Sequence, residues 1–138
     1  MIPFHVLHLD HVVLRVADIE QSIAFYALVL GSTVVKRRDD LGLVHLRAGV
    51  SMIDLASVDG PLGNKGGAAA GAEGRNMDHV CLRVDPFEEQ ALVRHLAAQG
   101  LAPSGPVTTN FGSEGFGPSL YFQDPDGNTI ELKGPTAP

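Results

Sequence analysis

The sequence predicts an α+β protein built from two copies of a βαβββ module. The first observation is a repeat: residues 9–16, LDHVVLRV, return at 77–84 as MDHVCLRV, about half the chain later. The second is that each copy is followed by an amphipathic helical segment and then by three short strand-like segments separated by turn residues. The chain of 138 residues has the length of one ordinary domain, so the two modules are expected to form one structural domain overall.

The first module is predicted to span residues 1–57. After the repeated strand, Asp18 is suited to cap a helix, and Gly31 is suited to end it. The buried stripe of this helix is predicted at helical spacing, at Ile19, Ile23, Tyr26 and Leu30. Three strands follow, at about 33–38, 43–48 and 51–57. From 58 to 76, Gly, Ala and Pro dominate, and we interpret this segment as a mobile linker.

The second module is predicted to span residues 77–138. Its strand at 78–84 is followed by Pro86, which suits a first helical turn, and by a helix that ends at Gly100. A short strand is expected within 101–109 and a Gly-rich loop at 110–118. The last two strands, at 120–123 and 129–133, flank the turn sequence Asp-Pro-Asp-Gly.

Composition excludes several classes of function. The net charge of −6 argues against nucleic acid as a partner, because binding to a phosphate backbone needs clustered Lys and Arg. A single cysteine cannot form an internal disulfide, which is typical of a reducing compartment. The N-terminus lacks the pattern of an export signal, and no apolar run reaches the length of a membrane span. We therefore expect a cytoplasmic protein that binds neither nucleic acid nor membrane.

The repeat also places chemically useful side chains on corresponding faces. Alternate strand residues face opposite ways, so His11 and His79 lie opposite the apolar face of their strands. The last strand of each module likewise sets a carboxylate, Asp54 or Glu131, opposite its apolar residues. Two imidazoles and two carboxylates on one surface suit a divalent ion such as Zn, Ni, Mn, Co or Fe.

Each of these residues alone has an ordinary structural interpretation. A lone strand histidine is more often a satisfied or solvent-facing residue than a ligand, and an outward carboxylate is usually solvated. The recurrence in both modules is what favours a metal site. The remaining histidines have no counterpart in the other module and are interpreted as structural: His5, His8, His45 and His95.

At this point the chain resembles the vicinal oxygen chelate superfamily, which includes glyoxalase I, fosfomycin-resistance thiol transferases, extradiol dioxygenases and bleomycin-binding proteins. The motifs that carry the resemblance are the Asp-His strand with DIEQSIAFY and Leu-Gly after it, then YFQDPDGN and Ile-Glu-Leu, and they extend from Leu9 to Lys133. The resemblance implies two paired modules that form a curved, cup-like mixed sheet around a metal, with the helices on the outside. It also implies a homodimer and a small-molecule substrate.

The resemblance maps three family metal positions onto His11, His79 and Glu131, and a variable fourth onto Asp54. In glyoxalase I this fourth position resembles a Glu, which is one methylene longer. Arg15 matches an arginine that contacts the glutathione carboxylate, but the asparagine expected four residues after the fourth ligand is Val58.

Two other branches of the superfamily match in part. Ser113-Glu114-Gly115 and Tyr121 resemble a phosphonate-binding loop of the fosfomycin enzymes, although Val13 replaces their threonine. The two-His-one-carboxylate trio is also that of non-haem iron oxygenases, for which His45 and Tyr121 are the available acid–base residues.

The leading hypothesis is a glyoxalase-like, metal-dependent lyase or isomerase whose small substrate chelates one divalent metal through vicinal oxygens. Glu131 is the expected general base, with Asp54 second, and the expected substrate-binding residues are Arg15, Arg83 and Tyr121. Either arginine has an ion pair as its structural alternative. The other functions left open are an Fe(II) extradiol-type dioxygenase, a resistance-type thiol transferase and a metal-free binding protein. The sequence leaves undecided the substrate, the metal, a thiol cosubstrate and whether modules pair within or between chains.

Overall fold

Two four-stranded mixed sheets, each with one α-helix, make up residues 1–136, the part of the chain that the computed structural model describes. The chain divides into a first unit, Met1–Ala69, and a second unit that begins at Ala70. The predicted α+β class, with two similar βαβββ modules, is confirmed. The division falls inside the predicted linker, 58–76, which also contains one turn of 3-10 helix at Gly63–Gly66. The module boundaries themselves stay a prediction.

The elements of the first unit are β1 (His11–Val16), α1 (Ile19–Leu30), β2 (Val34–Arg38), β3 (Leu43–Ala48) and β4 (Ser51–Ser57). Its strand order is β1-β4-β3-β2, in which β1 and β4 are parallel and the other pairs antiparallel. Helix α1 begins after Asp18, whose carboxylate accepts the Gln21 amide at 3.0 Å, and it ends where Gly31 adopts a φ of 70°.

The core of the first unit lies between α1 and one face of the sheet, with α1 contacting β3 and β4. Strand residues Leu14, Val44 and Leu55 are fully buried there. The predicted helix stripe is partly wrong, because α1 buries Ser22, Tyr26 and Val29 and leaves Ile23 only half-buried. Apolar residues surround much of this helix, so their spacing does not reveal which edge contacts the sheet.

The elements of the second unit are β5 (Val80–Arg83), α2 (Glu89–Ala98), β6 (Thr108–Gly112), β7 (Gly115–Gln123) and β8 (Thr129–Lys133). This unit repeats the arrangement of the first with the strand order β5-β8-β7-β6. Again its first and last strands, β5 and β8, are parallel neighbours.

Three local predictions in this unit are wrong. The short strand expected within 101–109 lies later, at Thr108–Gly112. The predicted Gly-rich loop at 110–118 is instead an antiparallel hairpin of β6 and β7, in which Phe111 pairs with Phe116 and a glycine at 115 turns the chain with φ 110°. Helix α2 begins at Glu89 and not near Pro86, because the Glu88 carboxylate accepts the amides of Gln90 and Ala91. Across residues 1–136, no helix is long and apolar enough to cross a membrane.

Candidate metal and substrate site

In the first unit, parallel pairing of β1 and β4 places a histidine beside a carboxylate. Val13 is the register partner of Asp54, and His11 lies two residues earlier on the same face. His11 Nε2 is 3.9 Å from Asp54 Oδ2. Its Nδ1 donates to Asp10 Oδ1 at 2.7 Å, and this bond, followed by the charge of Asp54, raises the pKa of His11 above its usual value.

The second unit builds the same arrangement at shorter distance. His79 Nε2 is 3.1 Å from Glu131 Oε1, and His79 Nδ1 donates to Asp78 Oδ2 at 2.5 Å. In both units the aspartate before the histidine therefore binds Nδ1 and leaves Nε2 directed at the carboxylate. A partner on one ring nitrogen that fixes the ring and its tautomer is characteristic of metal-binding histidines.

Neither carboxylate is a solvated surface group, since Asp54 is only 3% exposed and Glu131 only 5%. Burial opposes ionisation of Glu131, but hydrogen bonds from Ser119, Tyr121 and Cys81, together with the charge of His79, hold its pKa below the usual value. Ser119 Oγ donates to Glu131 Oε2 at 2.6 Å. Glu131 is therefore an ionised, buried carboxylate at neutral pH.

Asp54 has a different neighbour, which the sequence analysis treated as structural. His45 on β3 is its register partner, and His45 Nδ1 lies 2.9 Å from Asp54 Oδ1. Both atoms are buried, and within residues 1–136 neither finds a partner with hydrogen-bond geometry. On β7 the corresponding position, opposite Glu131, is Tyr121. His45 thus has a counterpart that sequence spacing concealed, because it lies nine residues before its carboxylate whereas Tyr121 lies ten before Glu131.

The donor types of these pairs suit a divalent first-row ion. Two donors, each about 2.1 Å from an ion, lie about 3.0 Å apart at a right angle and about 3.4 Å apart in a tetrahedral site. The separations of 3.1 Å at His79 and Glu131 and 2.9 Å at His45 and Asp54 are close to this spacing, whereas the 3.9 Å between His11 Nε2 and Asp54 Oδ2 is wider. The unpartnered Asp54 oxygen is a further donor available to a cation. Among the described residues, no three His, Cys, Asp or Glu side chains are grouped to hold a metal, so each unit offers an incomplete ligand set.

A cavity of about 320 Å³ lies over the histidine–carboxylate pair of the second unit. Its lining includes His79, Glu131 and the phenyl ring of Phe111. Beside it, the Tyr121 ring meets the His79 ring edge-on, with centroids 5.9 Å apart. Burial, and then the neighbouring Glu131, raise the pKa of Tyr121 to about 12, so its hydroxyl stays protonated and can donate a hydrogen bond.

The two predicted substrate arginines are engaged by the protein. Arg15 donates to backbone carbonyls of the Gly-rich segment, including Gly63 at 2.8 Å and Gly67 at 2.5 Å. Arg83 Nε donates to Glu114 at 2.9 Å on the wall of the cavity. Their role in binding substrate stays a prediction. Lys133, which was not predicted as a site residue, also lines this cavity. Its sequence signal is its place two residues after Glu131, on the same strand face.

Solved structures of other proteins resemble this chain along most of its length. An integron cassette protein from the mobile metagenome of V. cholerae is 28% identical with a TM-score of 0.77, covering 98% of this chain and 100% of that one. A virulence protein from Salmonella typhimurium is 25% identical with a TM-score of 0.79, covering 96% and 100%. The fosfomycin resistance protein FosX from Listeria monocytogenes, solved with Mn(II) and 1S,2S-dihydroxypropylphosphonic acid, is 18% identical with a TM-score of 0.69, covering 96% and 93%. This last likeness shows the fold alone.

The family assignment rests on a match that covers nearly the whole chain. The model of the Glyoxalase/Bleomycin resistance protein/Dioxygenase superfamily matches residues 8–132. That range covers most of both units and contains both histidine–carboxylate pairs. The chain therefore belongs to this superfamily, the vicinal oxygen chelate proteins.

Proposed function

We propose that this protein is a glyoxalase-like, metal-dependent lyase or isomerase that acts on a small substrate chelated through two neighbouring oxygens. Its metal ligands are His11, His79 and Glu131, with Asp54 as the fourth. The observation that carries the proposal is the repeated pairing of a histidine, fixed through Nδ1 by the preceding aspartate, with a buried carboxylate. The ion is one of Zn, Ni, Mn, Co or Fe, since imidazole and carboxylate together suit these metals.

A bound divalent ion supplies Lewis acidity, which stabilises negative charge on a substrate oxygen. Glu131 acts as general base and takes the proton from the substrate carbon, because it is ionised at neutral pH and lines the cavity. Ser119 holds its second oxygen in place, and the protonated Tyr121 hydroxyl donates a further hydrogen bond to the same carboxylate. Asp54 is the alternative base, since its Oδ1 is buried and forms no hydrogen bond within the described residues.

The proposal includes a homodimer in the cytoplasm. Each unit holds an incomplete ligand set, so a complete site needs pairs from two units, which belong to one chain or to two chains of a dimer. The single cysteine and the net charge of −6 suit a reducing compartment without nucleic acid. Light scattering at micromolar concentration tests the assembly, and a monomer that holds metal at full occupancy would contradict the dimer.

Metal analysis of protein purified without chelator tests the proposal directly. We expect one divalent ion per site in the wild type and its loss in His79→Ala, which removes the Nε2 closest to a carboxylate. His95→Ala is the matched control, because His95 lies in the last turn of α2. Equal metal content in the wild type and His79→Ala would overturn the proposal.

One observation supports a second candidate, an Fe(II) extradiol-type dioxygenase. Tyr121 lies beside both His79 and Glu131, where such an enzyme needs an additional acid–base group. Protein loaded anaerobically with Fe(II) and mixed with catechols and oxygen separates the two candidates. Ring cleavage that is lost in Tyr121→Phe favours the dioxygenase. Conversion of substrate by the Zn- or Ni-loaded protein without consumption of oxygen favours the isomerase.

A further inference from the structure

We propose that the cavity of the second unit binds an oxoanion group of the substrate, a carboxylate, phosphate or phosphonate, through the ammonium group of Lys133. This inference rests on the proposed function for the other end of the substrate, which meets the metal. It adds a substrate class, a small molecule with vicinal oxygens at one end and an anionic group at the other.

Lys133 is a buried cation whose charge no carboxylate balances at close range. The side chain is 7% exposed, and among residues 1–136 no carboxylate oxygen lies within 4.0 Å of Nζ. Its hydrogen bonds go to two backbone carbonyls, those of Asn110 and Gly117, the second at 3.1 Å. An ammonium has three N–H donors, so one remains for a ligand. Burial of a charge without an opposite charge is costly, and such positions are characteristic of binding sites.

The Lys133 side chain lies across the neighbouring strands at a position that a glycine, and not a larger residue, occupies. A Cβ added at Gly112 would meet Lys133 Cε at 2.6 Å, and Gly117 is buried among backbone atoms. Glycine at 112 leaves the space in which the lysine stem runs from β8 towards the hairpin, whereas glycine at 117 makes room for the backbone of residues 134 and 135. The ammonium is thus held by the sheet itself, on the lining of the cavity.

The charges around the cavity favour an anionic ligand once metal is bound. Two cations and two carboxylates line it, and Arg83 is already paired with Glu114 at 2.9 Å. The remaining charges are Lys133 and Glu131. A divalent ion on Glu131 would neutralise that carboxylate and leave the cavity with net positive charge. Phe111, 73% exposed and packed edge-on against Phe116, adds an apolar wall for the part of the substrate between its two polar ends.

Inorganic phosphate is the probe, and isothermal titration of metal-loaded protein is the first measurement. We expect Lys133→Met to weaken phosphate binding by about tenfold or more, the scale of one charge-assisted hydrogen bond. Lys36→Met is the matched control, because it removes the same charge from an exposed strand of the first unit. Equal affinity of wild type and Lys133→Met, or absence of phosphate binding by the wild type, would overturn the inference.

A second measurement uses the wild type alone, so it tests the inference even if the Lys133→Met protein does not fold. In amide NMR spectra, phosphate is expected to shift the signals of Gly112, Ser113 and Gly134, which line the cavity around the lysine. Shifts confined to other residues would contradict the inference. A titration with divalent metal separates the two proposals. Phosphate binding that depends on Lys133, in a protein that binds no divalent metal, supports this inference and rejects the metal enzyme.

Discussion

The two units place a histidine and a carboxylate at corresponding strand positions but surround the carboxylate differently. The β7–β8 register pairs Tyr121 with Glu131 and Ser119 with Lys133. The β3–β4 register pairs His45 with Asp54 and, at the corresponding second position, Leu43 with Ala56. The first unit therefore has apolar residues where the second has a hydroxyl donor and a cation.

This difference shows how one repeated backbone supports unequal sites. In the second unit, Ser119 holds Glu131 at 2.6 Å, and Lys133 adds a positive charge to the cavity. In the first, Asp54 faces His45 without hydrogen-bond geometry. We therefore propose that the general base and the site for the substrate anion belong to the second unit. Asp54 in the first unit is proposed as the fourth metal ligand.

The largest expected effect comes from exchanging the two carboxylates for amides. Glu131→Gln should abolish measurable metal binding, because it removes the negative charge of a buried carboxylate that lies 3.1 Å from His79 Nε2. Asp54→Asn should weaken metal binding by about tenfold or more if Asp54 is the fourth ligand, the scale seen when metal shells are disturbed. Competition titration against a chromogenic chelator measures both affinities.

The two outcomes for Asp54 separate the classes of enzyme. Weaker metal binding in Asp54→Asn supports the isomerase with four ligands. Unchanged metal content with lower turnover would make Asp54 a free carboxylate beside the substrate and favour a three-ligand transferase or dioxygenase. If neither metal content nor activity changes, both roles of Asp54 are wrong.

The sequence predicted the fold well because its signals are local and repeated. The Asp-His strand occurs twice, and the Asp18 cap and Gly31 stop define α1 without any tertiary information. The hairpin of β6 and β7 was not predicted, because its glycines resemble those of a loop in the sequence. Gly115 turns the chain with a positive φ, and Gly112 leaves room for the Lys133 side chain. Lys133 and Ser119 were missed because their importance depends on register between strands, which the sequence does not state.

An intermediate effect is expected from Ser119, which has no donor counterpart in the first unit. Ser119→Ala removes a buried hydrogen bond to a charged group, and we expect the free energy of unfolding to fall by about 1.5–3 kcal/mol. Chemical denaturation of metal-free protein measures it. Ser113→Ala, an exposed serine of the same cavity, is the control and should change stability little.

The same variant has a predicted pH dependence. The folded-state pKa of Glu131 is lowered, so its stabilisation is fully present above the ordinary value of 4.5 and is lost as pH falls through the folded value. Ser119→Ala removes one of the hydrogen bonds that lower this pKa. The stability difference between wild type and variant should therefore shrink as pH falls below 4.5, and a constant difference across pH 3–7 would contradict this role.

The smallest expected effect concerns Cys81, whose counterpart in the first unit is Val13. Residue Cys81 is exposed, yet partial withdrawal of its thiol from water, then the charge of Glu131 and a hydrogen bond to it, raise the pKa to about 11 from an ordinary 9.0. Only the thiolate reacts with iodoacetamide, and a more basic thiolate is a better nucleophile, so at pH 8 the alkylation of metal-free protein should be about tenfold slower than that of an unperturbed cysteine. The rate should rise with pH up to about 11.

Glu131→Gln tests the cause of this slow alkylation without altering the cysteine. It removes the negative charge that opposes the thiolate, so the pKa of Cys81 should fall and the alkylation rate at pH 8 should increase. The increase should be incomplete, because burial is the larger cause and remains. Glu114→Gln, which removes a carboxylate of the same cavity that is paired with Arg83, should leave the rate nearly unchanged. Equal acceleration by both variants would show that Cys81 responds to the overall charge of the cavity and not to its contact with Glu131.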